Sequence, residues 1–202
     1  MPRMRTSTAQ GYLTTGIAYA FHPHRDTWYS APFYQLNWWL PIYPITADNG
    51  LAFHPRYWYT PVKNGSGAYN YTEWNATSRK IAASQIGTDT RVQPKPEEEV
   101  ELDPQIRPLC EPGGSSSFQA PGCTQASRTR QPRLGSASIC APFTLTTSLH
   151  AGSGAPNIDS ECTGTTMGDY LPCSDLEHAP DSLVGSTTHR RAARLRQPPE
   201  ST

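Results

Sequence analysis

The first part of the chain carries runs of apolar and aromatic residues that predict β-strands. Residues 12–21 predict one strand, and residues 33–45 have the aromatic and β-branched composition that is typical of another. The Ala-Asp-Asn-Gly stretch at 47–50 predicts a hairpin turn, since Asn and Gly tolerate positive φ, and residues 51–55 form the expected return strand. Helical periodicity is rare, and residues 74–85 are the best helix candidate. The pattern therefore predicts a mainly β fold.

The second part of the chain lacks this pattern. Among the aromatic residues, only Phe118, Phe143 and Tyr170 follow residue 114. Residues 115–150 are rich in Ser and Thr and contain no Asp or Glu. Because aromatic side chains supply much of the area that a core buries, we expect this stretch to be disordered by itself. Residues 151–180 again have a more specific composition.

Charge and cysteine content narrow the class of protein. The formal net charge is zero, so nothing global indicates a nucleic-acid or membrane partner. We expect a cytoplasmic protein, because no membrane-spanning run and no signal peptide are evident. The five cysteines are odd in number, widely spaced and without a CxxC pair, which favours reduced thiols over disulfides or a zinc site. The expected partner is a small-molecule substrate.

Two charged runs each allow a functional and a simpler interpretation. Glu97–Glu99 could bind a cation, but a solvated connecting loop over 92–108 is the favoured interpretation. The basic run at 189–196 could contact nucleic acid, but a solvated tail is favoured there as well.

The motif that suggests chemistry is His24-x-Asp26. On a β-strand, side chains at i and i+2 point to the same face, so these two could bind one metal ion. Together with a distant second His they would form the facial triad of a non-heme Fe(II) oxygenase. His22 and His54 are rival ligand candidates from the residues alone.

Residues 24–58, HRDTWYSAPFYQLNWWLPIYPITADNGLAFHPRYW, resemble bacterial members of the phytanoyl-CoA dioxygenase family. The resemblance covers residues 16–114 and 152–180, and combines HxD, an NWW strand and a DNG hairpin. It implies a double-stranded β-helix, the jelly-roll or cupin-like barrel. It also implies a dioxygenase that uses Fe(II), 2-oxoglutarate and O2 to hydroxylate a small organic substrate, releasing succinate and CO2.

Carried over by position, the resemblance assigns roles to single residues. His24 and Asp26 correspond to the first two iron ligands, so Asp26 is preferred to His22, and His54 is expected to be structural. Trp39 matches a Trp beside the 2-oxoglutarate, although barrel packing is the alternative. Gln35 and Asn37 share the period-2 face of Trp39 and are predicted to bind the same co-substrate. Trp38 is expected to point the other way and, like Trp28, to serve packing.

Two family residues are missing: a second His ligand and, about ten residues later in the family, an Arg that pairs with the distal carboxylate of 2-oxoglutarate. Back-translation of residues 115–149, taken one base early, is compatible with a family-like strand sequence. A codon for His or Tyr then falls across Cys123 and Thr124, in the place of the missing His, and an Arg codon falls 11 positions later, across Leu134 and Gly135. We therefore hypothesise that residues 115–151 are translated out of frame. The chain is also expected to be N-terminally truncated relative to the family.

These considerations divide the chain into expected parts. They are a frayed N-terminus at 1–11, a partial jelly-roll domain at 12–114, an out-of-frame disordered segment at 115–151, a C-terminal family segment at 152–180 and a disordered basic tail at 181–202. The predicted function is a 2-oxoglutarate dioxygenase, inactive with this sequence. The alternatives are a non-catalytic β-barrel binding protein and a non-functional, pseudogene-like fragment.

Overall fold

Short β-strands and turns dominate the structure. The computed structural model describes residues 3–6, 22–32, 35–81, 84, 90–119, 124–126, 137–141, 159–171, 175, 177–178, 180–182 and 184. The strands within these residues are β1 (Arg3–Thr6), β2 (Leu36–Pro41), β3 (Leu51–Phe53), β4 (Ser116–Gln119), β5 (Thr124–Ala126) and β6 (Ala137–Ala141). The α-helix α1 (Tyr71–Ala76) accompanies them. Turns of 3-10 helix occupy Asp26–Tyr29, Pro55–Trp58, Gly65–Ala68 and Thr166–Asp169.

The strands form two antiparallel sheets. One has the order β1-β6-β2-β4, and the other pairs β3 with β5. Trp38 in β2 lies opposite Ser117 of β4 on one side and opposite Ala141 of β6 on the other. The strands predicted near residues 33–45 and 51–55 are therefore present as β2 and β3, and both sheets use antiparallel pairing, as a jelly roll does. Closure of a barrel stays a prediction, and the strand predicted at 12–21 lies outside the described residues.

The predicted hairpin between β2 and β3 is wrong. The two strands follow each other in the chain but lie in different sheets. The reason is that β4 pairs with one edge of β2 and β6 pairs with the other, so no edge of β2 is left for β3. After the turn, β3 instead pairs with β5, with Ala52 opposite Gln125.

The turn at 47–50 forms, but positive φ is not what it requires. Among the described residues only Ser30, Gly113 and Gly164 have positive φ. The Asn49 side chain organises the turn by accepting from the Thr46 N–H at 2.7 Å. Glycine is needed at position 50 because a Cβ there would lie 2.9 Å from Cγ2 of Ile45. Close approach of the chain, not backbone handedness, selects the glycine.

The helix prediction at 74–85 is also misplaced. The observed helix begins at Tyr71, after Asn70, whose side chain accepts from the N–H of Glu73 at 3.2 Å. It ends at Ala76, where Thr77 leaves helical geometry with φ −116° and ψ −71°. An Asn cap satisfies one of the first free N–H groups and so fixes the start of the helix. This local signal outweighed the apolar spacing farther along.

Two segments for which the sequence predicts fraying or disorder contain strands in the structure. The frayed N-terminus at 1–11 contains β1, and the segment at 115–151 contributes β4, β5 and β6. The prediction is corrected for those residues only, since the rest of both segments lies outside the described residues. Backbone pairing with an exposed strand edge needs few apolar side chains, which is why composition missed it. Of the predicted tail at 181–202, residues 181, 182 and 184 are helical.

Two small aromatic clusters lie in the core of the described part of the chain. One contains Trp28, Tyr57 and Val62, and the other contains Tyr69, Tyr71 and Cys162. The partly buried Tyr29 packs against both clusters and so joins them. No helix among the described residues is long and apolar enough to cross a membrane.

A buried ion pair ties distant segments of the chain to one another. Arg25 Nε donates to Asp159 Oδ2 at 2.9 Å, and the two side chains are 1% and 3% exposed. The same carboxylate accepts from Trp28 Nε1 at 2.8 Å and from the N–H of Val62 at 3.0 Å. The Arg25 guanidinium also donates to the Thr60 carbonyl at 2.8 Å. Residues 25–28, 60–62 and 159 are therefore held by one carboxylate and one guanidinium.

Removing Asp159 is expected to destabilise the fold strongly. Asp159→Ala leaves the buried Arg25 charge without its partner, which typically lowers the free energy of unfolding by about 3–5 kcal/mol. Urea unfolding followed by tryptophan fluorescence measures this change. Glu101→Ala is the matched control, because Glu101 pairs with Arg56 at the surface and should contribute less than about 1 kcal/mol. Equal effects of the two substitutions would contradict the assigned role of Asp159.

Candidate metal centre

His24 and Asp26 lie side by side. Arg25 between them is extended, with φ −110° and ψ 140°, so its neighbours project to the same side of the chain. Asp26 is the first residue of a 3-10 turn and not part of a continuous strand, which corrects the predicted setting of the motif. Nε2 of His24 lies 3.6 Å from Oδ1 of Asp26. The sequence prediction that these two side chains come together is confirmed.

The imidazole of His24 has a defined orientation. Its Nδ1 lies 2.8 Å from the carbonyl oxygen of His22. A carbonyl only accepts, so Nδ1 donates to it, and Nε2 is the ring nitrogen that faces Asp26. Metal-binding histidines are commonly oriented in this way, with the second ring nitrogen donating to a backbone carbonyl. The ring is 13% exposed and the Asp26 side chain is 31% exposed, so both can be reached from solvent.

These two donor atoms fit two positions of a metal site. Bonds of a first-row divalent ion to imidazole nitrogen and carboxylate oxygen are each about 2.0–2.2 Å long. Their combined length exceeds the 3.6 Å gap between Nε2 and Oδ1, so one ion can contact both atoms. Imidazole and carboxylate are also the two donor types of the 2-His-1-carboxylate triad.

Asn37 and Gln35 extend the site behind Asp26. Asn37 Nδ2 donates to Oδ2 of Asp26 at 2.6 Å, and Gln35 Nε2 donates to Oδ1 of Asn37 at 2.7 Å. The predicted shared face is confirmed, because Asn37 and Trp39 alternate with exposed Trp38 along β2. The Asn37 amide thus contacts the Asp26 carboxylate directly, and the Gln35 amide contacts Asn37. The co-substrate-binding role that the sequence assigned to them stays a prediction.

Tyr170 contacts the residues behind Asp26, and the sequence does not predict this contact. Its hydroxyl donates to Oε1 of Gln35, from 135 positions farther along the chain. Nothing in the spacing of residues predicts this contact. The one available signal was that Tyr170 is the last aromatic residue of the chain.

The tryptophans near the site differ in their surroundings. Trp39 is 3% exposed on the face shared with Asn37, and Trp38 is 40% exposed on the opposite face. Trp28 is fully buried in the aromatic core, as predicted for a packing residue. A place beside 2-oxoglutarate for Trp39 stays a prediction.

The rival histidines have other contacts. Nε2 of His22 lies 2.8 Å from the Pro94 carbonyl and 3.2 Å from the Tyr29 hydroxyl. His54 is 2% exposed, and its Nδ1 donates to the Leu102 carbonyl at 2.9 Å. Its backbone carbonyl accepts from the N–H of Tyr57, at the start of the 3-10 turn. These contacts agree with the structural role expected for His54.

The third ligand of the iron site that the resemblance implies is not found in the described part of the chain. Within those ranges, no group of three or more His, Cys, Asp or Glu side chains is arranged to hold a metal ion. Cys123, where the shifted frame would place a His, lies outside the described residues. Arg25 is next to both ligands in sequence, but its guanidinium is held by Asp159 and by backbone carbonyls. It therefore cannot serve as the partner of a co-substrate carboxylate.

Comparison with known proteins identifies no family. No model of a known protein family matches the chain, and a search of curated proteins finds no match either. The resemblance to the dioxygenase family therefore stays a prediction from the motif residues of this sequence.

His54 makes a pH-dependent contribution to stability. Burial lowers the pKa of His54 from its ordinary value of 6.5, against a smaller raising effect of the Leu102 hydrogen bond. Nε2 is buried without a hydrogen-bond partner, so a proton added there has no acceptor. The unfolded chain then binds more protons below pH 6.5, and the free energy of unfolding falls as the pH drops through this value.

Replacing His54 tests this dependence. His54→Asn retains a donor for the Leu102 carbonyl and removes the titrating ring. We expect a smaller loss of stability between about pH 8 and about pH 5 than in the unchanged chain, measured by urea unfolding. Thr72→Ser, at an exposed residue without a titrating group, is the control and should leave the pH dependence unchanged. Identical pH profiles for the unchanged chain and His54→Asn would refute the assignment.

Proposed function

We propose that this chain is a derivative of an Fe(II)- and 2-oxoglutarate-dependent dioxygenase that retains a two-ligand metal site and does not turn over with its present sequence. The observation that supports the proposal best is the placement of His24 and Asp26, with Nε2 and Oδ1 3.6 Å apart and both side chains oriented by hydrogen bonds. A chance HxD pair has no need of such an arrangement.

The proposed roles of His24 and Asp26 as metal ligands follow from these contacts. His24 would bind the metal through Nε2, since its Nδ1 donates to the His22 carbonyl. Asp26 would bind it through Oδ1, the oxygen on the His24 side, while Asn37 donates to Oδ2. When bound with 2-oxoglutarate, Fe(II) would supply the activation of O2 for oxidation of a substrate C–H bond. We derive no step through 2-oxoglutarate, since the described residues show no arginine that fits its distal carboxylate.

The expected loss of turnover has a physical reason. Two protein ligands constrain a metal ion less than three, so both affinity and geometry suffer. A missing charge-assisted pair to the co-substrate typically removes about 1.5–3 kcal/mol of binding. A cytoplasmic location is part of the proposal, and the free thiols of Cys110 and Cys162 suit a reducing compartment.

Metal binding by the chain is expected to depend on both ligands. Titration of the metal-free protein with Mn(II), followed by the electron paramagnetic resonance of the free ion, should show one weak site. His24→Ala and Asp26→Ala should each abolish it, whereas His178→Ala should leave it intact. Fe(II)-dependent succinate release should stay at the level of a sample without protein. Equal binding by all variants would exclude His24 and Asp26 as ligands, and turnover by the unchanged chain would exclude the proposed defect.

Restoring the shifted frame is expected to repair the site. A chain in which residues 115–151 are replaced by the family-like translation gains the missing His and Arg. It should bind 2-oxoglutarate only when Fe(II) is present, measured by quenching of tryptophan fluorescence under anaerobic conditions. Changing the restored His to Ala should remove this dependence. A folded repaired chain that binds no 2-oxoglutarate would contradict the frame hypothesis.

A second candidate function is that of a non-catalytic binding protein, which would bind a small molecule in an open surface cleft. The cleft has a volume of about 470 Å³ and is lined by Pro61, Val62, Lys63, Asn64, Glu97, Glu98, Asp159 and Glu161. Metal-independent binding of a small molecule by the folded chain would favour this function over the dioxygenase.

A further inference from the structure

A line of three hydrogen bonds leads from Tyr170 to Asp26. The Tyr170 hydroxyl donates to Gln35 Oε1, Gln35 Nε2 donates to Asn37 Oδ1 at 2.7 Å, and Asn37 Nδ2 donates to Asp26 Oδ2 at 2.6 Å. We call this set the Tyr170–Asp26 relay. Every donor in it points toward the carboxylate.

Chemistry fixes the direction of the relay. An ionised carboxylate only accepts, so the amide nitrogen of Asn37 must face it and the amide oxygen must face Gln35. The same reasoning places the nitrogen of Gln35 toward Asn37 and its oxygen toward Tyr170. The orientation of both amides is therefore set by the acceptor at one end and the hydroxyl donor at the other.

The two amides of the relay are shielded from water. Gln35 is 8% exposed and Asn37 is 9% exposed, so water competes little for their amides. Hydrogen bonds that are linked in series and shielded from water polarise one another and hold their groups more rigidly than isolated bonds do. Because Oδ2 of Asp26 is engaged by the relay, Oδ1 is the oxygen that faces His24.

Tyr170, at the donor end of the relay, follows a 3-10 turn that is hydrogen-bonded to the segment after Asp26. The N–H of Thr166 donates to the Ser30 carbonyl at 3.1 Å, four residues after Asp26. Met167 is 1% exposed, and its carbonyl accepts from the N–H of Tyr170 at 3.2 Å. The 3-10 turn at Thr166–Asp169 thus places the Tyr170 hydroxyl at a fixed distance from the metal-site segment.

We propose that Tyr170, Gln35 and Asn37 are positioning residues, which orient the Asp26 carboxylate so that Oδ1 is presented to a metal ion together with His24. This inference deepens the proposed function and rests on it for the role of the metal. It assigns Gln35 and Asn37 to the ligand and not to 2-oxoglutarate, and it gives residues 166–170 a part in the metal site.

The relay is tested first in the metal-free protein. The side-chain amide signals of Gln35 and Asn37 are observed by 1H–15N nuclear magnetic resonance in the unchanged chain and in Tyr170→Phe. Loss of the hydroxyl should shift both signals, including that of Asn37, which Tyr170 does not contact in the relay. The signals of Asn49 and Asn64, whose amides bond elsewhere, should stay in place. Tyr59→Phe, at a 73% exposed tyrosine, is the control variant.

Gln35→Glu separates orientation from packing. The glutamate keeps the shape and an acceptor for Tyr170 but removes the donor to Asn37. Gln35→Glu and Tyr170→Phe should each weaken Mn(II) binding by about 10-fold or more, the usual effect of losing a hydrogen bond to a metal ligand. They should also change the Co(II) absorption spectrum. Tyr59→Phe should alter neither.

Several results would overturn the proposal. Unshifted amide signals in folded Tyr170→Phe, or unchanged Mn(II) affinity in both folded relay variants, would exclude the relay. If neither variant folds, hydrogen exchange of the Asn37 side-chain amide in the unchanged chain decides, and exchange as fast as that of Asn49 would exclude it. If the unchanged chain binds no Mn(II), the proposed function fails, whereas the amide signals still show whether the relay exists.

Discussion

The structure depends on one buried ion pair between Arg25 and Asp159. Both side chains are almost completely withdrawn from water, so neither charge is tolerable without the other. The pair is also hydrogen-bonded to Trp28, to the backbone of Val62 and to the carbonyl of Thr60. A late segment of the chain is thereby fixed to the segment that contains the HxD motif.

This constraint explains why the candidate ligands His24 and Asp26 have a defined geometry although they do not lie on a continuous strand. Arg25 stands between His24 and Asp26, and its side chain is directed inward to Asp159 while the two candidate ligands project to the opposite side. Further bonds from the same late segment support the turn that follows Asp26. Ser160 Oγ donates to the Thr27 carbonyl at 2.7 Å, and Ser30 Oγ donates to the Thr163 carbonyl at 2.9 Å. The segment with His24 and Asp26 is therefore held by the Arg25–Asp159 ion pair and by the hydrogen bond from Asn37, the last donor of the relay, to Asp26.

The same segment links stability to chemistry. Residues 159–170 supply the Asp159 carboxylate to the core and the Tyr170 hydroxyl to Gln35, whose amide bonds Asn37, the donor to Asp26. The sequence resemblance to dioxygenases covers residues 152–180, which include this segment. The His and Arg that the resemblance implies would fall between its two matching stretches, where β5 begins and before β6.

The sequence by itself determined the close pair of His24 and Asp26, the shared face of Asn37 and Trp39, and strands near residues 36–41 and 51–53. These depend on i, i+2 spacing and on local composition, which act over a few residues. Only the tertiary structure decided that β3 leaves β2 for a second sheet, that glycine at position 50 relieves a contact with Ile45, and that the Ser- and Thr-rich segment contributes strands. It alone brought Asp159 to Arg25 and Tyr170 to Gln35. Such contacts join residues more than 130 positions apart, and the geometry that creates them exists only after the chain has packed.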